Sequence, residues 1–214
     1  MVLTTKNERG NEVPLLNLPN VLTIIRLVLV PLFVLLCWVD TPERRWWALA
    51  VFMLAAVTDK FDGSIARSRG LITDFGKLAD SIADKALIIS ALLMLSWHGI
   101  LWWWVTILFI IRELGITFMR LALKERKVMA AGWWGKVKMM AQSLGITLLL
   151  VPWESIFGDY YAGVSQAWSP AAFACYIVGY IAIAVALFFA VFSAWGYVKE
   201  GIRLVRRVPE QRSS

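Results

Sequence analysis

Asp59, Asp62, Asp80 and Asp84 stand in a stretch that otherwise belongs inside a membrane. Each pair is three or four residues apart, so on a helix its two carboxylates stack on one face about one turn apart. An aspartate at bilayer depth costs roughly 2.5–3.5 kcal/mol on insertion scales, and four of them repel one another unless something positive binds between. Hard divalent cations take oxygen ligands, so the pattern predicts a site for one or two such ions. Gly63 and Ala66 follow Asp59 and Asp62 by one turn each, and Gly76 precedes Asp80 by one turn. Those small residues leave the acidic faces without bulk, so a second helix or a phosphate can approach the backbone. Arg67 is placed to clamp a phosphate oxygen bidentately.

The elements that must carry these carboxylates are membrane spans. Of the 214 residues, 59% are hydrophobic, against roughly 45–50% in soluble globular domains. Stretches of about 17–25 apolar residues can cross a bilayer. They recur over 21–39, 46–67, 76–97, 101–123, 135–152 and 170–198, which predicts an all-α bundle of about six spans. Asn17-Leu18-Pro19-Asn20 is a helix-start signature for the first span. The expected domains are an N-terminal segment over 1–16, a transmembrane catalytic domain over 17–200 and a basic tail over 201–214. Residues 1–14 are polar and hold no apolar core of a signal peptide.

The formal charge of +7 could suggest nucleic acid, but in so apolar a chain clustered Lys and Arg report topology and anionic lipid instead. Lys and Arg crowd the two termini and the second and fourth connections. The segments 97–104 and 153–169 contain none. The positive-inside rule therefore puts both termini and the aspartate ends of spans two and three in the cytoplasm, in a multi-pass protein of the cell's inner membrane. Of the 12 tryptophans, Trp46 and Trp47, Trp102 to Trp104, and Trp133 and Trp134 cluster at predicted span ends, as an aromatic belt would. Cys37 and Cys175 read as small buried hydrophobes. His98, the only histidine, reads as an interfacial loop residue, which speaks against histidine-based catalysis.

The run from Asp59 to Asp84 matches D-x-x-D-G-x-x-A-R-x8-G-x3-D-x3-D, and on it the chain resembles the CDP-alcohol phosphotransferase family. The resemblance implies a six-helix membrane enzyme, usually a homodimer. Such an enzyme moves a CMP-activated phosphatidyl or alcohol-phosphate group onto a second alcohol with two divalent cations, Mg2+ or Mn2+. By the same resemblance, Asp59 and Asp80 bridge both metals and Asp62 binds one. Asp84 binds the other and acts as general base, while Gly63, Arg67, Thr73 and Thr23 contact the CDP-lipid. Membrane lipids are then its surroundings and CDP-diacylglycerol its donor.

The acceptor has to come from the remaining polar residues. Arg112 and Glu113 interrupt the fourth span, as an internal ion pair or as part of an anion pocket. Lys136, Lys138 and Gln142 open the fifth, as topology anchors or as a basic set suited to a phosphorylated acceptor. Asn20, Thr23 and Arg26 with the Arg112-Glu113 pair and the run from Gly135 to Gln142 are similar to the branch of the family that uses glycerol 3-phosphate. Arg26 would line the headgroup cavity or neutralise local carboxylates. Cardiolipin and phosphatidylinositol-phosphate synthases are the alternatives within the family, and a divalent-metal channel or transporter is the alternative outside it.

Overall fold

A computed structural model describes residues 4–6, 12–14, 18–69, 74–122, 133–157 and 169–206; it describes side chains for 20–58, 79–119, 133–157, 169–195 and 199. A short antiparallel hairpin comes first, β1 (Thr4–Lys6) with β2 (Glu12–Pro14), in which Thr4 faces Pro14 and Lys6 faces Glu12. The helices follow: α1 (Leu18–Cys37), α2 (Pro42–Arg69), α3 (Asp74–Trp97), α4 (Trp103–Ala122), α5 (Trp133–Leu150), α6 (Trp153–Phe157) and α7 (Pro170–Arg206). Six of them are long. At 1.5 Å per residue the 20 residues of α1 reach across a hydrocarbon core of about 30 Å. Among the described residues, Asn20–Cys37 and Pro170–Trp195 are apolar enough to cross a membrane on composition alone.

Local chemistry sets the helix ends. Thr41 Oγ1 accepts from Arg44 N (3.4 Å) ahead of α2, and Ser169 Oγ accepts from Ala172 N (3.2 Å) ahead of α7. Each cap precedes a proline at the first helical position, where the missing N–H costs nothing. Gly99 ends α3 at φ 69°, with Ile100 N bonding Leu95 O (2.9 Å). That left-handed glycine closes the last turn of the helix.

Two expectations for the elements are refined. The five-residue helix α6 was not legible because one and a half turns hold no periodic pattern. The last span runs on to Arg206 rather than stopping near Val198, because nothing before Pro209 breaks a helix that can leave the bilayer and solvate its Lys and Arg.

Helix α1 packs along α2 and α3, α5 packs most extensively on α7, and α5 also touches α2 and α3, which joins the two halves. The core between them holds Phe33, Phe52, Leu92, Phe109, Ile146 and Leu149, all fully buried. Outward-facing side chains such as Leu35, Phe118, Met140 and Phe188 are apolar and exposed, a surface suited to lipid rather than water. The α5–α7 contact depends on glycine. A Cβ at Gly145 would lie 2.8 Å from Ile183 Cδ1, and one at Gly179 would lie 2.9 Å from Leu149 Cδ2.

The end of the bundle opposite the aspartates is tied by polar contacts. Buried Arg45 of α2 meets Glu154 of α6 (2.6 Å), Asp40 (3.5 Å) and Leu149 O (3.4 Å). Tyr176 of α7 donates to the other oxygen of Glu154 (2.6 Å), and His98 Nε2 donates to Cys37 O (2.6 Å). The histidine expected in an interfacial loop thus sits in the turn after α3 and fastens it to the end of α1.

Gly145→Val should lower the melting temperature of the detergent-solubilised protein through overpacking worth about 1–3 kcal/mol. Gly115→Ala on α4, where an added Cβ meets nothing within 4 Å, should instead be neutral or stabilise by up to about 1 kcal/mol. Equal melting shifts for the two variants would show that α5 and α7 are not held at glycine distance.

Candidate active site

Asp80 and Asp84 lie on one face of α3 near its start, one turn apart. Helix α2 continues without a break through Asp59, Asp62, Gly63, Ala66 and Arg67 to Arg69, and α3 resumes at Asp74. Four intervening residues keep the acidic end of α2 close in the chain to the acidic start of α3. The side chains of Asp59, Asp62 and Arg67, and Gly63 with them, fall outside the described set. Thr73 lies outside the described residues altogether. Among the described residues no three His, Cys, Asp or Glu side chains form a group that could hold a metal ion. The donors that are described, the carboxylates of Asp80 and Asp84, fit a hard divalent cation in type and spacing. Both are only partly buried, Asp80 with 47% of its side chain exposed, so a ligand can reach them.

A polar stripe on α1 faces this region. Asn20, Thr23 and Arg26 recur every three residues and are all buried, Arg26 completely. Helical spacing of three keeps them on one side of the helix, toward α2 and α3. Arg26 Nη1 donates to Asp80 Oδ1 at 2.6 Å. A buried guanidinium without a carboxylate would carry an uncompensated charge, so the pair anchors α1 to α3 at the level of the acidic face.

A second polar group links α4, α5 and α7. Arg112 Nη1 (3.1 Å) and Lys138 Nζ both donate to the same oxygen of Glu113, Oε1. Arg112 Nη2 donates to Ser193 Oγ on α7 (2.9 Å). Lys138 is buried, lies 6.0 Å from the ring centroid of Phe109, and is within electrostatic reach of Asp84. Gln142, one turn on from Lys138, is 1% exposed. Its Nε2 and the Nε of Arg112 are buried donors without a hydrogen-bond partner among the described residues.

The structure thus brings Arg112, Glu113, Lys138 and Gln142 together, with Asp84 nearby. It joins Arg26 to Asp80. Lys136 is exposed, two positions from Lys138 and on a different side of α5. The Arg112–Glu113 pair exists as such, and Lys138 belongs to it. Ser193 and Phe109 were not anticipated. A serine in the apolar run of α7 was the available signal for the first, and one phenylalanine among many gave none for the second.

Six long helices with apolar outer faces, and carboxylates at the start of α3, define a polytopic α-helical membrane protein. The CDP-alcohol phosphatidyltransferase family model matches residues 16–195, and the chain belongs to that family. Divalent metal ions are the general cofactors of the family. Among curated relatives, a probable phosphatidylglycerophosphate synthase of Mycobacterium tuberculosis is 48% identical over 139 residues, covering 64% of this chain and 66% of the relative. That match spans just under two thirds of the relative's length. A CDP-diacylglycerol–glycerol-3-phosphate 3-phosphatidyltransferase of Escherichia coli strain K12 is 37% identical over 155 residues, covering 70% of this chain and 84% of the relative.

Arg26→Ala and Asp80→Ala, singly and together, should show a coupling of about 1–3 kcal/mol in a double-mutant cycle, reduced from a fully buried pair because Asp80 is half exposed. Denaturation of the purified variants in detergent measures it, and additive losses would dissolve the pair.

Proposed function

We propose that the protein transfers the phosphatidyl group of CDP-diacylglycerol to glycerol 3-phosphate, giving phosphatidylglycerol phosphate and CMP. The observation that carries the choice of acceptor is the set of largely buried Arg112 and buried Lys138 and Gln142, with Lys138 within electrostatic reach of Asp84. Cations and unpaired donors set that deep in an apolar bundle suit an anionic acceptor, and the names of both relatives point the same way.

In this reading Asp59, Asp62, Asp80 and Asp84 hold two divalent cations, Mg2+ or Mn2+. When bound, these would neutralise the pyrophosphate of the donor and the charge that builds on the leaving CMP. Gly63 leaves room for the CDP moiety, Arg67 clamps one of its phosphate oxygens, and Thr23 and Thr73 add contacts to it. Lys138 and Arg112 hold the phosphate of the acceptor, Gln142 donates a further hydrogen bond, and Lys136 draws anions toward the mouth of the site. Asp84 takes the proton of the acceptor hydroxyl as that oxygen attacks the β-phosphorus in line. The bond from phosphorus to the CMP oxygen breaks, and CMP leaves with the electron pair. Asn20 packs the entry, and Arg26 holds one oxygen of Asp80 so that the other faces the cleft.

Charge asymmetry along the chain puts the site and both termini on the cytoplasmic side of the inner membrane. There a soluble acceptor and a bilayer-held donor can both reach the aspartates. The working unit is a homodimer, with the segment 1–16 and the basic tail 201–214 flanking the catalytic domain.

Purified protein given labelled CDP-diacylglycerol should release CMP with glycerol 3-phosphate, and not with phosphatidylglycerol or inositol phosphate. Release with either of those alone would reassign the acceptor, and divalent-metal flux without CMP release would reassign the class. EDTA should abolish turnover, and added Mg2+ or Mn2+ should restore it. Asp84→Asn should retain CDP-lipid binding and lose at least about a hundredfold in kcat; near-normal turnover would remove Asp84 as the base. Lys138→Asn should raise the KM for glycerol 3-phosphate far more than that for CDP-diacylglycerol.

A further inference from the structure

Glu113 occupies a place that a simple cationic pocket would leave to its ligand. Its side chain is 15% exposed, and its Oε1 accepts from both Arg112 and Lys138. The nitrogens of the two cations therefore lie side by side around one carboxylate oxygen. A carboxylate and a phosphate present the same kind of acceptor to Arg and Lys, a charged oxygen that takes charge-assisted hydrogen bonds. Arg112 Nε, on one of these cations, and Gln142 Nε2, one helical turn from Lys138, are buried donors that bond nothing among the described residues. Burying a donor in that way costs free energy that a partner would recover. The group is thus part satisfied by the protein and part left for a ligand oxygen.

We infer that Glu113 is an internal counter-anion that competes with the acceptor's phosphate for Arg112 and Lys138, and thereby sets how tightly the phosphate is held. The inference rests on the acceptor reading given above. Two largely buried cations facing a phosphate monoester with no opposing charge would bind it strongly before and after reaction, because substrate and product carry the same monoester. Binding both equally does nothing for the chemical step, and it slows departure of the product. Glu113 cancels one of the two positive charges. It retakes the cations as the phosphate leaves. The two donors left without a partner among the described residues favour arrival of the phosphate, since a ligand oxygen can complete them.

Glu113→Gln keeps the size of the side chain and removes the competitor. In the purified full-length enzyme, the KM for glycerol 3-phosphate should fall about tenfold, the change that one charge-assisted contact of about 1.4 kcal/mol brings. The kcat should fall with it. The inhibition constant of inorganic phosphate should drop to a similar degree, while the KM for CDP-diacylglycerol stays unchanged. Glu113→Asp keeps the charge but shortens its reach, so it should move the same constants in the same direction by less. It serves as the test if the Gln variant fails to fold by melting and size exclusion. A higher KM and weaker phosphate inhibition in either variant would overturn the inference, since Glu113 would then be aligning Lys138 rather than competing for it. Phosphate inhibition is measured against whichever acceptor the wild type consumes. A wild type that ignores glycerol 3-phosphate therefore sinks the acceptor reading, and a phosphate constant unchanged in both variants sinks this one.

Discussion

A charge inside an apolar helix bundle has to find an opposite charge or a ligand, and that constraint organises this protein. Arg26 is completely buried in α1 and is tolerated because Asp80 of α3 faces it at 2.6 Å. Lys138 is buried in α5 and is tolerated because Glu113 of α4 meets it. Each pair crosses between helices, so satisfying the charges also fixes which helices are neighbours. Buried pairs of this kind are weak sources of net stability but strong penalties against the wrong arrangement, because separating the partners strands a charge.

Function follows from where the pairing stops. Asp80 and Asp84 keep part of their side chains exposed at the start of α3, and Arg112 of α4 and Gln142 of α5 keep buried donors without a partner among the described residues. The opposite end of the bundle has a different character. There Arg45, Glu154 and Tyr176 tie α2, α6 and α7 to one another, and Gly145 and Gly179 let α5 and α7 approach closely. One end is closed by mutual satisfaction, and the other holds the carboxylates and donors that a ligand can complete.

Much of this was legible in the residues. The aspartate spacing placed two acidic faces on two helices, and the apolar runs gave six long helices, though the second begins at Pro42, a turn before the expected position 46. Arg112, Glu113, Lys138 and Gln142 stood out as polar residues where apolar ones were expected. Their partnership was not legible, because Glu113 and Lys138 are 25 positions apart and spacing along a chain says nothing of contact between helices. Ser193 of α7 and Phe109 of α4 were hidden for the same reason. So was the division of labour between Lys136, which is exposed, and Lys138, which is buried.

The sequence by itself determined the chemistry on offer: carboxylates one helical turn apart, in helices too apolar for water, with small residues beside them. Those properties depend on residue type and helical period, and both are local. Only the tertiary structure decided which cation answers which carboxylate. Nothing in the spacing along the chain dictates that Arg26 meets Asp80, or that Glu113 meets Lys138 as well as Arg112. Those choices depend on the rotation and distance of packed helices. Side-chain volume in the core sets both, from the glycines between α5 and α7 to the phenylalanines between α1 and α2.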